Sequence, residues 1–231
     1  MRIPVLDHVA LHVADRDATA EELCRRFDVS VIERTERFTL IGASEDSGKI
    51  TLLDADPQDS RAPQPNRIVS LVLSEASGRG TPPPVELDDG LVVTFASVDE
   101  LSEEWSDVPR HALIGVSLRA SDPPLAAAAL EAIHGLHVVT IGREHAVLDV
   151  GPGGSDGRLT LSRERWDDSA PSMLDHIGIR VDDAKAWRDR FEAADADVVK
   201  WVEAPHSLAV FVAGPDGLLL EFVEQTRSFT A

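Results

Sequence analysis

Two histidines and one glutamate have the residue types and the surroundings that could support chemistry. His8 and His176 end two matching tripeptides, Leu-Asp-His at 6–8 and at 174–176. Glu221 lies in a run that is apolar on both strand faces. A carboxylate in such surroundings is costly unless it is paired, protonated or bound to a metal. Imidazole is a common metal ligand and the side chain whose charge changes near neutral pH.

The segments that carry the two histidines alternate between apolar and polar residues. This alternation predicts strands with one buried face. The other face would carry His8 and His12 in the first segment, and His176 and Arg180 in the second. That face is either exposed to solvent or the wall of a binding site, in which case His12 and Arg180 would line a cavity.

Each of these strands begins a unit that the chain repeats. A helical pattern that starts at an aspartate follows the strand, and three short strand candidates follow the helix. A third copy, with the strand Leu113–Leu118 and a helix opened by Asp122, lacks the histidine. The unit is βαβββ, which predicts an α+β fold class. The modules span residues 1–56, 109–165 and 172–226.

Residues 65–107 separate the first two modules and fit the repeat less well. Strand candidates at Ile68–Leu73 and Leu91–Phe95 flank a loop rich in glycine and proline. The loop does not predict a phosphate site, because prolines rather than a helix N-terminus follow its glycines. The segment is either a degenerate module or an insertion.

Charge, length and cysteine content limit the partners and the compartment. The chain has 231 residues, with 22 Lys+Arg against 41 Asp+Glu and a net charge of −19. This charge disfavours nucleic acid and anionic membranes as partners. No apolar stretch approaches the roughly 20 residues that span a membrane, and the N-terminus is not typical of a signal peptide. We therefore expect a cytoplasmic location. A single cysteine excludes an internal disulfide framework and a cysteine-rich metal site.

The two Leu-Asp-His tripeptides and the run 214–221, Gly-Pro-Asp-Gly-Leu-Leu-Leu-Glu, resemble the vicinal oxygen chelate superfamily. This superfamily includes glyoxalase I, bleomycin-resistance proteins, methylmalonyl-CoA epimerase and type I extradiol dioxygenases. The resemblance implies paired βαβββ modules that form cup-shaped mixed sheets, with the helices on the convex side. It also implies a divalent metal held by first-strand histidines and last-strand glutamates.

Transferred to this chain, the resemblance implies that His8, His176 and Glu221 are metal ligands. A set of two histidines and one carboxylate leaves positions open for a substrate or oxygen, and it favours Fe(II) or Mn(II) over Zn(II) or Ni(II). A glyoxalase-type site would need a fourth ligand. Thr51 or Leu52 occupies that position, which disfavours this type. The alternative is a cup that holds no metal.

The resemblance to extradiol dioxygenases has a gap. Their motif contains a tyrosine about where Phe211 stands, and this chain contains no tyrosine. His206 lies near the histidine of that motif, with shorter spacing, and is a candidate catalytic acid or base beside a bound substrate. The alternative for His206 is a loop residue that follows Pro205. Phe211 itself would line the cavity.

How the modules pair decides whether the ligands meet. His8 and His176 come together if the first and last modules share a sheet, or if two subunits of a homodimer exchange modules. If the modules pair in chain order, His176 and Glu221 face the copy that carries Leu113, and His111 could substitute for the missing ligand.

Two functions follow from the resemblance. The first is a metal-dependent enzyme, dioxygenase-like or a related lyase or isomerase, that acts on a small organic substrate with vicinal oxygens. The second is a metal-free protein of the bleomycin-resistance type that binds and sequesters a small molecule.

Overall fold

Each of the three predicted βαβββ repeats contains one helix and four strands. The structure, a computed structural model, describes residues 4–46, 48–55, 68–75, 81–88, 90–97, 108–152, 156–163 and 173–225. In chain order the strands are β1 (Val5–Val13), β2 (Ser30–Arg34), β3 (Thr39–Gly42), β4 (Lys49–Asp54), β5 (Ile68–Glu75), β6 (Val85–Glu86), β7 (Val92–Ser97), β8 (Leu113–Arg119), β9 (His137–Ile141), β10 (His145–Asp149), β11 (Arg158–Ser162), β12 (Leu174–Arg180), β13 (Val198–Ala204), β14 (Ser207–Ala213) and β15 (Leu219–Gln225). The helices are α1 (Arg16–Arg26), α2 (Pro123–Ala132) and α3 (Ala184–Ala193).

The strands form two mixed sheets that are nested in the chain. The first and last modules share one sheet, in the order β13-β14-β15-β12-β1-β4-β3-β2, and the middle of the chain forms the other, in the order β6-β7-β5-β8-β11-β10-β9. At the centre of the first sheet, β1 and β12 run antiparallel. The modules therefore do not pair in chain order, and one chain brings His8 and His176 into the same sheet.

The helices begin where the sequence predicts them and cover one face of each sheet. Asp15, Asp122 and Asp183 are the N-caps, and each side chain accepts a hydrogen bond from a backbone N–H of the first turn. The apolar faces of the helices are buried against the strands in one core. No helix in the described ranges is both long enough and apolar enough to cross a membrane.

The segment between the first two modules contributes three strands to the second sheet. The predicted strands at Ile68–Leu73 and Leu91–Phe95 correspond to β5 and β7, which pair in parallel. The short strand β6, which pairs with β7, is missing from the sequence prediction. Most of the glycine-rich part of the predicted loop, 78–80, lies outside the described residues.

The two sheets meet at glycines that precede the last strands of two modules. Gly48 has φ +66, and a Cβ there would lie 2.6 Å from the Leu113 carbonyl oxygen. Gly157 has φ +116, and a Cβ there would lie 2.3 Å from the Leu6 Cβ. Both positions need glycine for the backbone conformation and for the close approach. The contact between the two sheets therefore fixes the start of β1, which leads into His8.

His134, at the end of α2, makes part of the stability depend on pH. Its side chain is buried, and its Nε2 lies 3.1 Å from the Ala213 carbonyl oxygen, to which it donates. Burial lowers the pKa of His134 below the ordinary value of 6.5. Unfolding then takes up a proton, so the contribution of the neutral side chain is complete above pH 6.5 and is lost as the pH falls below that value.

We expect His134→Gln to remove this pH dependence, because glutamine can donate to Ala213 without titrating. Urea unfolding of parent and variant at about pH 5.5 and about pH 7.5 gives the difference in unfolding free energy at each pH. The unfolding free energy of the parent should exceed that of the variant by less at about pH 5.5 than at about pH 7.5. A difference that is the same at both values would contradict the prediction.

Candidate metal centre

His8, His176 and Glu221 converge on one point of the first sheet. The Nε2 atoms of the two histidines lie 3.0 Å apart. Each of these atoms lies 3.2 Å from the same carboxylate oxygen, Oε2 of Glu221. Among the described residues, these three form the cluster of histidine, cysteine and acidic side chains that is suited to hold a metal ion.

An aspartate on the far side of each ring fixes its orientation. Asp7 Oδ2 lies 2.9 Å from His8 Nδ1, and Asp175 Oδ2 lies 2.9 Å from His176 Nδ1. A carboxylate accepts hydrogen bonds, so each Nδ1 carries the hydrogen and donates it. Carboxylate partners of this kind orient metal-binding histidines in many proteins.

Two β-bulges make these contacts geometrically feasible. In a regular strand, neighbouring side chains point to opposite faces, so Asp7 could not reach the ring of His8. The pairing of β1 with β12 shifts register at Asp7 on one strand and at Asp175 on the other. A bulge re-aims the side chain of the extra residue. Both aspartates therefore turn toward the histidine that follows them.

With both Nδ1 atoms donating, the neutral rings present two bare Nε2 lone pairs to each other and to a carboxylate oxygen. Three acceptors at 3.0 to 3.2 Å repel one another unless a proton or a cation lies between them. The ligand atoms at three adjacent corners of an octahedral metal site, with metal–ligand bonds of about 2.1 Å, lie about 3.0 Å apart. The three residues thus fit a facial set of ligands for a divalent ion.

The three groups stabilise positive charge on the rings and negative charge on the carboxylate. Burial lowers the pKa of His8, but its bonds to Asp7 and Glu221 outweigh burial and raise that pKa to about 9. Burial raises the pKa of Glu221, and the two histidines reverse this and hold the pKa well below its usual range. The pKa of His176 is raised because its bonds to Asp175 and Glu221 outweigh burial. The cluster therefore favours a positive charge, a proton or a metal ion, between the rings.

A row of residues in register across the sheet positions the site. Glu221 on β15 pairs with Gly178 on β12, and Gly178 pairs with His8 on β1. A Cβ on Gly178 would lie 2.3 Å from His8 Cε1 and 2.4 Å from His8 Nδ1. Glycine at this position therefore makes room for the imidazole ring.

The same register identifies the position that a fourth ligand would occupy. In the last module, Gly178 follows His176 by two positions and pairs with Glu221. In the first module, Ala10 follows His8 by two positions and pairs with Thr51. Thr51 is therefore the counterpart of Glu221. Leu52, the other sequence candidate, is fully buried in the apolar core. The fourth position carries a neutral hydroxyl.

Of the three residues predicted to line the cavity, Phe211 and His12 contact the cluster or its partners, and Arg180 contacts a loop. The Phe211 ring contacts the His176 ring, with 5.2 Å between their centroids. His12 is bound to the site through Asp175, because its Nε2 lies 3.5 Å from Asp175 Oδ1. Arg180 donates to the backbone carbonyl of Asp46, in the loop before β4.

His206 and His111 do not belong to this cluster. His206 is exposed in the turn between β13 and β14, five residues before Phe211 and about 17 Å away along the strand. His111 lies in the turn before β8, where its Nδ1 accepts from the Asp28 backbone N–H at 2.6 Å and its ring packs against Phe27. The substitution of His111 for a missing ligand is not needed in this arrangement.

The residues behind the histidines were not predicted from the sequence. Asp7 and Asp175 stand in the repeated tripeptides, and the repetition of the aspartate was the signal that could have identified them. Lys49 and Gln225, which both contact Asp7, carried no such signal, because neither residue type recurs at the matching position of the other module.

Solved structures with the same fold include one of a Bacillus subtilis protein that is provisionally described as a dioxygenase. Its TM-score is 0.73 at 15% identity, and the match covers 97% of this chain and 86% of that one. Glyoxalase I from Zea mays has a TM-score of 0.69 at 12% identity, with 96% of this chain and 92% of that one covered. At these identities the likeness shows the fold alone. No curated protein matches the sequence.

The family of the chain follows from the sequence as well as from the fold. The two mixed sheets and the repeated βαβββ modules agree with the fold that the sequence resemblance implies. A family model matches residues 5–222, nearly the whole chain. The protein belongs to the Glyoxalase/Bleomycin resistance protein/Dioxygenase superfamily.

Proposed function

We propose that the protein is a divalent-metal-dependent enzyme that acts on a small organic substrate with vicinal oxygens. The observation that supports this most directly is the convergence of three acceptor atoms, two imidazole nitrogens and a carboxylate oxygen, within 3.2 Å of one another. A protein that only sequesters an apolar ligand has no need of such a cluster. The reaction is dioxygenase-like, or that of a related lyase or isomerase.

In this proposal His8, His176 and Glu221 hold the ion, and the ion, when bound, supplies a Lewis acid or oxygen-activating centre. Asp7 and Asp175 keep both rings turned toward the ion. The side chains of the three ligands are 12–13% exposed, so the site is reachable from solvent. With three protein ligands, positions stay open for two oxygens of a substrate.

In this proposal, different residues around the ligands contact the substrate and transfer a proton. Phe211 offers an apolar wall beside His176 and has no hydroxyl to donate. His12, with a side chain that is 33% exposed, is bound to Asp175 and can exchange a proton with a substrate on this face. We therefore assign acid–base chemistry to His12 rather than to His206.

Metal uptake tests the proposal directly. The tag-free protein is stripped with chelator, reloaded separately with Fe(II), Mn(II), Zn(II) and Ni(II), and analysed by inductively coupled plasma mass spectrometry. We expect near-stoichiometric metal in the parent and its loss in His8→Ala and His176→Ala. His137→Ala, which changes an exposed histidine on β9, should bind as the parent does.

A parent that takes up none of these ions would refute the enzyme proposal. The metal-free binding function would then stand in its place, because Thr51 at the fourth position and the absence of tyrosine are compatible with it. Metal uptake would in turn justify an oxygen-consumption screen with diols and catechols.

A further inference from the structure

Lys49 is buried behind one half of the candidate centre. Its side chain is 2% exposed, and its Nζ donates to Asp7 Oδ1 at 3.0 Å and to the Glu45 carbonyl oxygen at 3.3 Å. Asp7 Oδ1 also accepts from Gln225 Nε2 at 3.1 Å, and Asp7 Oδ2 faces His8 Nδ1. A continuous chain of contacts thus runs from Lys49 through Asp7 to His8.

Stability alone gives a weak reason for this arrangement. Removing two charges from water is expensive, and an apolar pair of similar volume is often as stable or more stable. The last module shows that the fold accepts an apolar residue here. By the pairing of the strands, the counterpart of Lys49 in that module is Leu219.

Asp7 and Asp175 differ in burial, and this difference explains why Asp7 is paired with a lysine. The side chain of Asp175 is 24% exposed and has His12 as its second partner, so solvent can stabilise its charge. The side chain of Asp7 is 4% exposed. A carboxylate this deeply buried needs a fixed counter-charge if it is to stay ionised beside the histidine.

We propose that Lys49 is a positioning residue of the metal centre, which acts on His8 through Asp7. The inference rests on the proposed function, since it concerns the ion that His8 would bind. Lys49 holds Asp7 as a charged acceptor in its bulge, and Asp7 in turn keeps the Nε2 of His8 directed at Glu221. The two halves of the centre are therefore anchored differently, His8 by a buried ion pair and His176 by a partly solvated one.

Removal of the ammonium should weaken metal binding without removing a ligand. Lys49→Met leaves Asp7 buried without its counter-charge, a situation that the fold can relieve only by moving or neutralising the carboxylate. We expect the Kd for Ni(II) to rise about 10- to 100-fold, as for other changes to partners of ligating histidines. The visible absorption of the Co(II)-loaded variant should shift, because the position of His8 changes.

The test is a double-mutant cycle with a matched control. Parent, Lys49→Met, Asp7→Asn and the double variant are titrated with Ni(II), and the unfolding free energy of each metal-free protein is measured in parallel. If Lys49 acts through Asp7, Lys49→Met should have little effect on the Kd in the Asp7→Asn background. Leu219→Met, at the matched position of the last module, should leave the Kd and the Co(II) spectrum unchanged.

Each outcome supports or overturns the inference. An unchanged Ni(II) Kd in Lys49→Met, or an equal rise in Kd in both backgrounds, overturns it. If Lys49→Met does not fold, the charge-neutral double variant decides: a Ni(II) Kd equal to that of Asp7→Asn alone supports the inference, and a higher Kd overturns it. A parent that binds no metal refutes the proposed function itself, which distinguishes the two failures.

Discussion

Glu221→Gln is expected to abolish tight metal binding while the chain stays folded. The substitution keeps the shape of the side chain but removes the negative charge and the strongest oxygen ligand. Glu221 Oε2 is the atom that both histidines share, at 3.2 Å from each Nε2. Loss of an outer partner of a ligand costs 10- to 100-fold in affinity, so loss of the ligand should raise the Ni(II) Kd by more than about 100-fold.

Isothermal titration calorimetry with Ni(II) measures this effect, and circular dichroism shows whether the variant is folded. Glu203→Gln is the control, because it makes the same change on β13, where the carboxylate accepts only from Trp201 among the contacts described. The control should bind as the parent does. If Glu221→Gln bound Ni(II) as tightly as the parent, Glu221 would not be a ligand.

Gly178→Ala should disable the site by the addition of a single methyl group. The new Cβ would lie 2.3 to 2.8 Å from three atoms of the His8 ring, closer than Cβ atoms are found to other heavy atoms. The ring cannot keep its place, because the backbone of Gly178 pairs directly with that of His8. We expect loss of Ni(II) binding comparable to that of His8→Ala.

Two comparisons separate this steric effect from a general effect of alanine. Gly214→Ala places its Cβ no closer than 3.3 Å to any neighbour and should bind as the parent does. In the variant that combines Gly178→Ala with His8→Ala, the clash is absent, so its thermal stability should exceed that of Gly178→Ala. Normal metal binding by Gly178→Ala would show that His8 does not need this position.

The sequence predicted the modules and the ligand candidates because both depend on local patterns. Alternation of apolar residues indicated the strands, and aspartates before apolar stripes indicated the helices. The repeated tripeptides singled out His8 and His176, and the apolar surroundings singled out Glu221. Each signal lies within a few residues of the feature it predicts.

The rest depended on contacts between distant segments. Strand alternation places Asp7 and His8 on opposite faces, and only the pairing of β1 with β12 introduces the bulge that joins them. The sequence left Thr51 and Leu52 both open as the fourth position, whereas the strand register selects Thr51. The burial of Lys49 could not be foreseen, because lysine is usually exposed and its partner is 42 residues away.

The nested pairing of the modules has a consequence for biosynthesis. During translation, β1 can pair with β4 as soon as the first module has left the ribosome, but its other edge stays open until β12 has been made. The second sheet, which is encoded between them, can form in the meantime. An open strand edge invites pairing with other chains, so the interval before the last module emerges is the period of greatest risk of aggregation. The three candidate ligands come together only after that interval, so a chain that held a metal ion there would already have closed its first sheet.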